Sequence, residues 1–372
     1  MKNFTGWGTK IRRDLSKNYY AIWQNLVTTR LDLGDEIALE PEKSEFMDVG
    51  ITSRCNACCP FCYVSASDKG LDYKNIAKTW KKWMATMPVD RPIDPSLLPE
   101  DDPLKEVFDD KRTPKELLID IAEIGAGKKK TNDAGENMDD LELILKIKSF
   151  TALGLPLVET FRPYQVACGS IGEPTIHPEY VEFLQAVFET GVVPNYTTNG
   201  IVLSDYRTQE CKDLLEATKQ FCGGVAVSFG NKKLHPHARV AIENLILYGE
   251  CKVVIHHIIS DKASVDDMIG LAKEYKDRLH YHVLLPLMAH GRSKDGLQEG
   301  VFEYMYEKCE EEGVTNLAFG ANFAPQLKEH PDLFPVYEYP REIYSKNVLL
   351  QEDKVVITPS SFNLKPCKTI EL

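Results

Sequence analysis

Short β-branched segments alternate with amphipathic segments through most of the chain, and this alternation restricts the folds that the chain can adopt. Each β-branched segment is followed by a turn and then by apolar residues at helical spacing, which is typical of a parallel β/α architecture. We therefore predict an α/β fold, a partial (β/α)6 barrel of the TIM type with crossover helices between its strands. The six predicted strands are 46–52, 164–168, 193–198, 224–229, 252–259 and 279–287.

One interval breaks this alternation. About 110 residues separate the first predicted strand from the second, far more than one crossover helix requires. We interpret residues 68–160 as an insertion within a barrel domain at 45–300. The insertion forms either a lid over an active site or a surface decoration. A Thr-Pro-Lys-Glu pattern at 113–116 predicts the start of a helix within it.

The two ends of the chain lie outside the predicted barrel. Residues 1–44 form an N-terminal extension, in which "YYAIWQNLV" predicts an amphipathic helix that packs on the barrel. Residues 301–372 form a C-terminal extension that covers the barrel. Within it, "TNLAFG" predicts a strand and "NVLLQEDKVVIT" a hairpin. A polar stretch at 127–140 predicts a mobile loop.

The charge balance argues against a broad nucleic-acid interface. The formal net charge is −12, whereas binding to phosphates depends on clustered Lys and Arg side chains. No apolar run approaches the roughly eighteen residues of a membrane span. The first residues lack the apolar segment of a secretory signal, and six of the ten cysteines are scattered singly. These features predict a cytoplasmic protein with reduced thiols.

Four cysteines lie within eight residues, directly after the first predicted strand. Zinc ribbons place two Cys-x2-Cys pairs on separate turns, so that four sulfurs reach tetrahedral positions. Here the pairs abut, and the side chains of adjacent Cys58 and Cys59 diverge, which strains a closed four-thiolate site. Three thiolates spaced Cys-x3-Cys-x2-Cys, those of Cys55, Cys59 and Cys62, can hold three corners of a 4Fe–4S cluster and leave one iron open. A zinc-binding trio, or a cluster bound through Cys58 in place of Cys59, stays open as an alternative.

The segment "CNACCPFCY" resembles the Cys-x3-Cys-x-aromatic-Cys loop of the radical S-adenosylmethionine (SAM) enzymes, which also follows the first strand of their barrel. Further segments resemble motifs of this family in the same order along the chain. The resemblance covers residues 46 to about 292, the insertion excepted. The further segments are "GEP" at 172–174, "YTTNG" at 196–200, "AVSFG" at 226–230, "VVIHHIIS" at 253–260 and "HVLLPLMAHGR" at 282–292.

The resemblance implies roles for the matching residues. Cys55, Cys59 and Cys62 would bind the cluster. The first glycine of the family's Gly-Gly-Glu-Pro segment is replaced by Ile171 in this chain, so the turn before Gly172 is expected to differ. The residues that would contact SAM are Phe61 beside the last cysteine, Gly172, Glu173 and Pro174 at the methionine amino group, Asn199 at the end of the third strand, Ser228 at the ribose or carboxylate, Arg239 at the carboxylate, and Ile258 against the adenine. Arg239 has the alternative of an exposed helix cation.

The resemblance also implies an activity. Radical SAM enzymes reduce SAM at the open iron of the cluster, and the resulting 5′-deoxyadenosyl radical abstracts a hydrogen atom from a substrate. We expect an oxidoreductase-like enzyme of this kind that takes electrons from a flavodoxin or ferredoxin type donor. The motif style is closest to peptide-modifying and cofactor-maturing members, which favours a peptide or protein substrate.

Three alternatives to this function stay open. The substrate is a small metabolite or nucleotide, or, less favoured by the acidic balance, an RNA; or the chain is a non-enzymatic iron–sulfur or zinc protein on a barrel scaffold. After Cys309 only Cys367 remains, so we expect no second, C-terminal cluster. Cys168 is either a hydrogen donor or ligand at the barrel mouth or a small core residue. His280 and His282 share a strand face, which allows a metal site only if further ligands join them.

Overall fold

The computed structural model describes residues 7–14, 19–32, 44–98, 100, 102–125, 138–152, 154–230, 235–334, 345–360 and 364–372. The chain divides into two units. The larger unit contains residues 39–87 and 163–372, and the smaller unit contains residues 3–38 and 88–162. This division differs from the expected boundaries, because residues 68–87 belong to the larger unit and the N-terminal residues share a unit with the rest of the expected insertion.

The described strands and helices are numbered in chain order. The strands are β1 (Thr9–Asp14), β2 (Tyr19–Gln24), β3 (Val27–Asp32), β4 (Phe46–Gly50), β5 (Arg91–Pro92), β6 (Leu157–Glu159), β7 (Gln165–Cys168), β8 (Val193–Thr198), β9 (Gly224–Phe229), β10 (Lys252–Ile259), β11 (Tyr281–Pro286), β12 (Leu317–Phe319), β13 (Ser345–Gln351), β14 (Lys354–Thr358) and β15 (Lys368–Glu371). The α-helices are α1 (Ile76–Thr86), α2 (Pro103–Asp109), α3 (Pro114–Gly125), α4 (Met138–Ala152), α5 (Tyr180–Glu189), α6 (Gln209–Phe221), α7 (His235–Asn244), α8 (Lys262–Glu274), α9 (Val301–Glu312) and α10 (Ala324–Glu329).

A ten-stranded sheet forms the centre of the larger unit, in the order β12-β11-β10-β9-β8-β7-β4-β13-β14-β15. The six strands predicted from the sequence are present and lie side by side in chain order, each parallel to the next. The predicted strand β12 extends one edge in parallel, and the predicted hairpin β13–β14 joins the other edge through a parallel pairing with β4. The unit is therefore a mixed α/β fold with an open sheet among the described residues.

The two faces of this sheet differ in chemistry. Along β10, Val253, Ile255, His257 and Ile259 are buried, and the alternate residues are only partly so. Side chains alternate between faces of a strand, so one face carries the apolar residues that pack against the helices. The main core is built on that face, and within it Trp80 of α1 is in edge-to-face contact with Trp83 and Phe183. The opposite face carries polar side chains among apolar ones, such as Ser228 of β9 and His256 of β10.

The segment "YYAIWQNLV" is a β-hairpin, so the predicted N-terminal helix is wrong. Residues 19–24 form β2, and β2 pairs with β3 in antiparallel register. The turn between them consists of Asn25 and Leu26, both with positive φ angles, 47° and 71°. Two left-handed residues between strands are typical of a type I′ hairpin turn, for which Asn is favoured. Tyr, Ile, Trp, Val and Thr also favour strands over helices.

The smaller unit contains a five-stranded sheet in the order β3-β2-β1-β6-β5. Apolar residues of α2, α3 and α4 pack in one core with Ile11 and Ile22 of this sheet. The predicted helix start is confirmed: the Thr113 Oγ1 accepts from the Glu116 backbone N–H at 3.3 Å, and the Thr113 N–H donates to the Glu116 carboxylate at 2.7 Å. Residues 126–137, which hold most of the stretch predicted as a mobile loop, lie outside the described residues.

None of the helices in the described part of the chain is long and apolar enough to cross a membrane.

Two buried histidines on the helix-facing side of the sheet make stability depend on pH. The Nδ1 atom of His257 and both ring nitrogens of His282 have no hydrogen-bond partner among the described residues. Burial lowers the pKa of His257 to about 3, with the neighbouring His282 and His235 adding to the effect, and burial lowers the pKa of His282 to about 4. Both imidazoles are therefore neutral in the folded chain at pH 7.

We predict that the free energy of unfolding falls as the pH drops from 7 to 5. Unfolded histidines take up a proton near pH 6.5 and these folded ones do not, so each costs about 2 kcal/mol over this interval. The variant His257→Leu should lose about 2 kcal/mol of this dependence, whereas His237→Leu, at an exposed position, should keep it. Urea denaturation at pH 7 and pH 5 measures the difference. An unchanged pH dependence in His257→Leu would contradict the prediction.

Candidate functional site

The four clustered cysteines lie on the loop that follows β4 in the larger unit. The Cys55 N–H donates to the Ser67 carbonyl at 2.8 Å, which ties the start of the cysteine segment to the chain beyond it, and the Cys62 N–H donates to the Cys59 carbonyl at 3.2 Å within a turn. Cys55, Cys59 and Cys62 are partly exposed. Cys58 differs from them, since it is exposed and its φ angle of 49° is left-handed.

Two N–H groups approach the sulfur of Cys55. The Ala57 N–H lies 3.5 Å from Sγ and the Asn199 Nδ2 lies 3.9 Å from it. The same Asn199 amide donates to the Asn56 Oδ1 at 2.8 Å, so the end of β8 is tied to the cysteine loop. Hydrogen bonds to sulfur are among the protein contacts that tune iron–sulfur clusters.

The three partly exposed thiols fit the chemistry of a 4Fe–4S cluster as a donor set, because such clusters are bound by cysteine thiolates from a short loop. Within the described ranges, no group of three or more His, Cys, Asp or Glu side chains is placed to hold a single metal ion. All ten cysteines are free thiols.

Gly172 lets the Gly-Glu-Pro loop lie directly against the cysteine loop. A Cβ at this position would stand 2.4 Å from the Thr52 carbonyl oxygen and 2.7 Å from that of Arg54, closer than any side-chain carbon can approach. The Glu173 N–H donates to the Arg54 carbonyl at 2.9 Å. The Arg54 guanidinium in turn pairs with Asp72 at 2.7 Å. The residues before the first cysteine are therefore held from both sides.

A second glycine supports the other end of the cysteine loop. A Cβ on Gly291, whose φ angle is 63°, would stand 2.2 Å from the Tyr63 carbonyl oxygen. The flanking residues add hydrogen bonds, from the Arg292 N–H to the Cys62 carbonyl at 3.1 Å and between the His290 Nδ1 and the Tyr63 carbonyl at 2.8 Å. The segment "AHGR" at 289–292 has no separate role among the expectations from sequence, and the signal that points to it is a glycine between two polar residues after a strand.

Glu173 is the most heavily hydrogen-bonded residue of the site. Its buried carboxylate accepts from the Thr175 Oγ1 at 2.7 Å and N–H at 3.3 Å, from the Thr198 Oγ1 at 2.8 Å and from the Asn199 N–H at 2.7 Å. Burial raises the pKa of Glu173, and these hydrogen bonds oppose the rise. The carboxylate thus joins the Gly-Glu-Pro loop to the end of β8.

A pocket of about 400 Å³ opens on the polar face of the sheet. Among the residues predicted to bind SAM, it is lined by Phe61, Ser228 and Ile258. Gly172, Glu173, Pro174 and Asn199 do not line it and instead build the loops beside it. The remaining lining residues are Asp48, Tyr63, Ala167, Cys168, Gly169, Ser170, Thr197, His256, Leu285, Pro286, Leu287, Met288, Ala321, Asn322, Lys346, Asn347, Pro359 and Ser360.

The pocket lining extends across most of the sheet. Residues of β13 and β11, which are six positions apart in the sheet order, both line it. No pairing closes the sheet among the described strands.

Arg239 does not line the pocket. It lies on α7, where its guanidinium pairs with the Glu274 carboxylate of α8 and stands 6.0 Å from the ring of Phe229. Its side chain is 44% exposed. The expected contact with a SAM carboxylate has no support from this geometry, which instead agrees with the alternative of an exposed helix cation.

Cys168 belongs to the main apolar core and is 1% exposed, and it is also one of the residues that line the pocket. Burial strongly raises the pKa of its thiol, which agrees with the small core residue. His256, which the sequence analysis did not single out as a SAM residue, lines the pocket next to Ser228 on the adjacent strand. Burial lowers the pKa of His256 to about 4, so this imidazole is neutral at pH 7.

We predict that Glu173→Gln lowers the free energy of unfolding by about 2 kcal/mol. Both oxygens of the carboxylate accept hydrogen bonds, so the NH2 group of a glutamine would face a donor and leave a buried polar group unpaired. Denaturation followed by tryptophan fluorescence measures the change, since Trp80 and Trp83 lie in the core of the same unit. Glu216→Gln on the exposed side of α6 is the matched control. Equal stability of Glu173→Gln and the control would contradict the structural role of this carboxylate.

Comparison with known proteins gives no family by sequence. No protein-family model matches the chain, and no curated protein matches it.

Several solved structures are similar at low identity. Streptococcus suis SuiB bound to S-adenosylmethionine is 13% identical, with 86% of this chain and 60% of the SuiB chain covered and a TM-score of 0.47. TYW1 with a bound lysine–pyruvate adduct is 15% identical, with 72% of this chain and 73% of the TYW1 chain covered and a TM-score of 0.35. BtrN in complex with AdoMet and 2-DOIA is 10% identical, with 86% of this chain and 74% of the BtrN chain covered and a TM-score of 0.28. The chain thus spans about 60% of the length of SuiB.

Proposed function

We propose that this chain is a radical SAM enzyme that binds one 4Fe–4S cluster through Cys55, Cys59 and Cys62. The observation that carries the proposal is the meeting of three motif segments at one place. The cysteine loop, the Gly-Glu-Pro loop and the end of β8 are joined by the Gly172 contact, the Glu173 carboxylate and the Asn199 amide. These three segments resemble motifs of one family, although the cysteine loop lies more than a hundred residues before the other two.

The cysteine assignment is supported by the backbone of the loop. Cys58 is exposed and left-handed, whereas the other three cysteines are partly buried. This difference favours Cys58 as the cysteine outside the ligand set. When bound, the cluster and SAM supply an electron and a 5′-deoxyadenosyl radical, which is the hard chemistry that the protein itself lacks.

The chain's own residues would bind and orient SAM. The Glu173 Oε2 accepts one hydrogen bond from the chain, which leaves a lone pair for an ammonium group. Ser228 and Ile258 lie on neighbouring strands at the wall of the pocket, where a hydroxyl suits a ribose and an apolar side chain suits an adenine face. Phe61 lines the same pocket beside the last cysteine. Arg239 is not part of this proposal.

The pocket would also shield the reaction from water, since much of its wall is apolar. Leu285, Pro286, Leu287 and Met288 continue from β11 along one side of it. We further propose a one-electron donor of the flavodoxin or ferredoxin type, and a peptide or protein as the substrate, on the basis of the motif style. A small metabolite or nucleotide is the alternative substrate.

We predict that the anaerobically reconstituted protein releases 5′-deoxyadenosine when given SAM and dithionite. Cys59→Ala should lose the brown chromophore and reduce this release to background, because a cluster held by two thiolates is labile. Chromatography of the nucleoside and iron and sulfide analysis are the measurements.

Cys58→Ala is the matched control, one residue away on the same loop. It should keep both the iron content and the release of 5′-deoxyadenosine. If Cys58→Ala loses the iron and the release of 5′-deoxyadenosine while Cys59→Ala retains both, then Cys58 and not Cys59 binds the cluster. No release from the wild-type protein with a full cluster would refute the proposed enzyme.

A further inference from the structure

One side chain at the pocket wall is buried, polar and incompletely paired. Asn347 is 1% exposed and lines the pocket. Its neighbours along β13, Val348 and Leu350, belong to the apolar core on the helix-facing side of the sheet. Because side chains alternate along a strand, Asn347 projects from the opposite face, which is the face that carries the pocket. Its register partner on β4 is Asp48, which lines the same pocket.

The hydrogen bonds around Asn347 fix which end of its amide is paired. The Thr358 hydroxyl donates its only proton to the Ser360 carbonyl at 3.2 Å. It can therefore only accept from Asn347, and the 2.9 Å contact between them must come from the Nδ2 amide group. The carbonyl oxygen Oδ1 is then the other end of the amide, and it has no hydrogen-bond partner among the described residues.

A buried carbonyl oxygen without a donor is unfavourable. At the wall of a pocket, the group that completes it is an N–H or O–H of whatever occupies that pocket. A second buried atom in the same lining also lacks a partner among the described residues, the Ser170 Oγ, which can both donate and accept. The lining therefore offers one acceptor of fixed orientation and one hydroxyl.

The pocket lining contains one acidic and one basic residue. These are Asp48 and Lys346, so its composition favours neither an anion nor a cation. A neutral amide supplies the N–H that the Asn347 acceptor lacks, without adding a charge.

We propose that Asn347 is a substrate-binding residue whose Oδ1 accepts a hydrogen bond from an amide N–H, so that this end of the pocket takes an amide-bearing substrate. This role of Asn347 in the reaction rests on the proposed function, in which the molecule that carries the amide group is the substrate of the enzyme. The β13–β14 hairpin, which lies outside the segments that resemble the family, would thereby determine specificity.

The test measures binding of small probes to the full chain by ligand-observed NMR, which does not depend on SAM cleavage. N-methylacetamide and methyl acetate have the same shape and differ by one N–H group. We expect N-methylacetamide to bind the wild-type protein at least several-fold more tightly than methyl acetate. Asn347→Leu should remove this difference, and Asn322→Leu, at another point of the pocket lining, should keep it.

Equal binding of the two probes to the wild-type protein would overturn the inference without any variant, so it stays testable even if Asn347→Leu fails to fold. Tighter binding of propylammonium or propionate than of N-methylacetamide would overturn the amide assignment. If a folded Asn347→Leu protein still prefers N-methylacetamide to methyl acetate, another residue or a bound water accepts the hydrogen bond of the N–H group, and the inference is wrong. If the probes bind as expected but no 5′-deoxyadenosine is released, the pocket stands and the proposed reaction fails.

Discussion

The buried carboxylate of Glu173 is the interaction on which the site depends. A carboxylate out of contact with water must be surrounded by donors, because the cost of its burial is otherwise far greater than any packing gain. Here the donors come from Thr175, Thr198 and Asn199. This requirement fixes the end of β8 beside the Gly-Glu-Pro loop. Asn199 then reaches the cysteine loop through its side chain.

Close backbone contacts complete this arrangement. The glycines at positions 172 and 291 allow two loops to lie against the cysteine loop where any side chain would collide with a carbonyl oxygen. Such contacts have little adjustability, since both partners are backbone. The position of the three thiols is thus determined by neighbouring loops as well as by their own short segment, which is the kind of support that a functional site requires.

The parts of the fold that follow from local pattern could be predicted from the sequence. The six parallel strands and the hairpin at β13–β14 were identified because β-branched runs bounded by turns have few alternatives. The N-terminal hairpin does not follow from apolar spacing alone, and its clearest local signal is the turn at Asn25, which has a positive φ angle. Its assignment to a unit with residues 88–162 depends on pairings far apart in sequence, such as β1 with β6, which no local pattern encodes.

The candidate site divides in the same way. Spacing and order suggest Cys55, Cys59, Cys62, Glu173 and Ser228 as candidates, whereas the loop at 290–292 and the side chain of Asn347 become apparent only from contacts. Arg239 matched by distance along the chain but pairs with Glu274 on the helix surface, because residue counting across a turn does not fix the face of a helix.

The central claim is that the cysteine loop leaves one iron of its cluster open to SAM. Electron paramagnetic resonance of the reduced, oxygen-free protein with and without SAM tests it most directly. The account predicts a signal of a reduced 4Fe–4S cluster whose g values change when SAM is added. A protein that holds only zinc, or a cluster signal that SAM leaves unchanged, would contradict it.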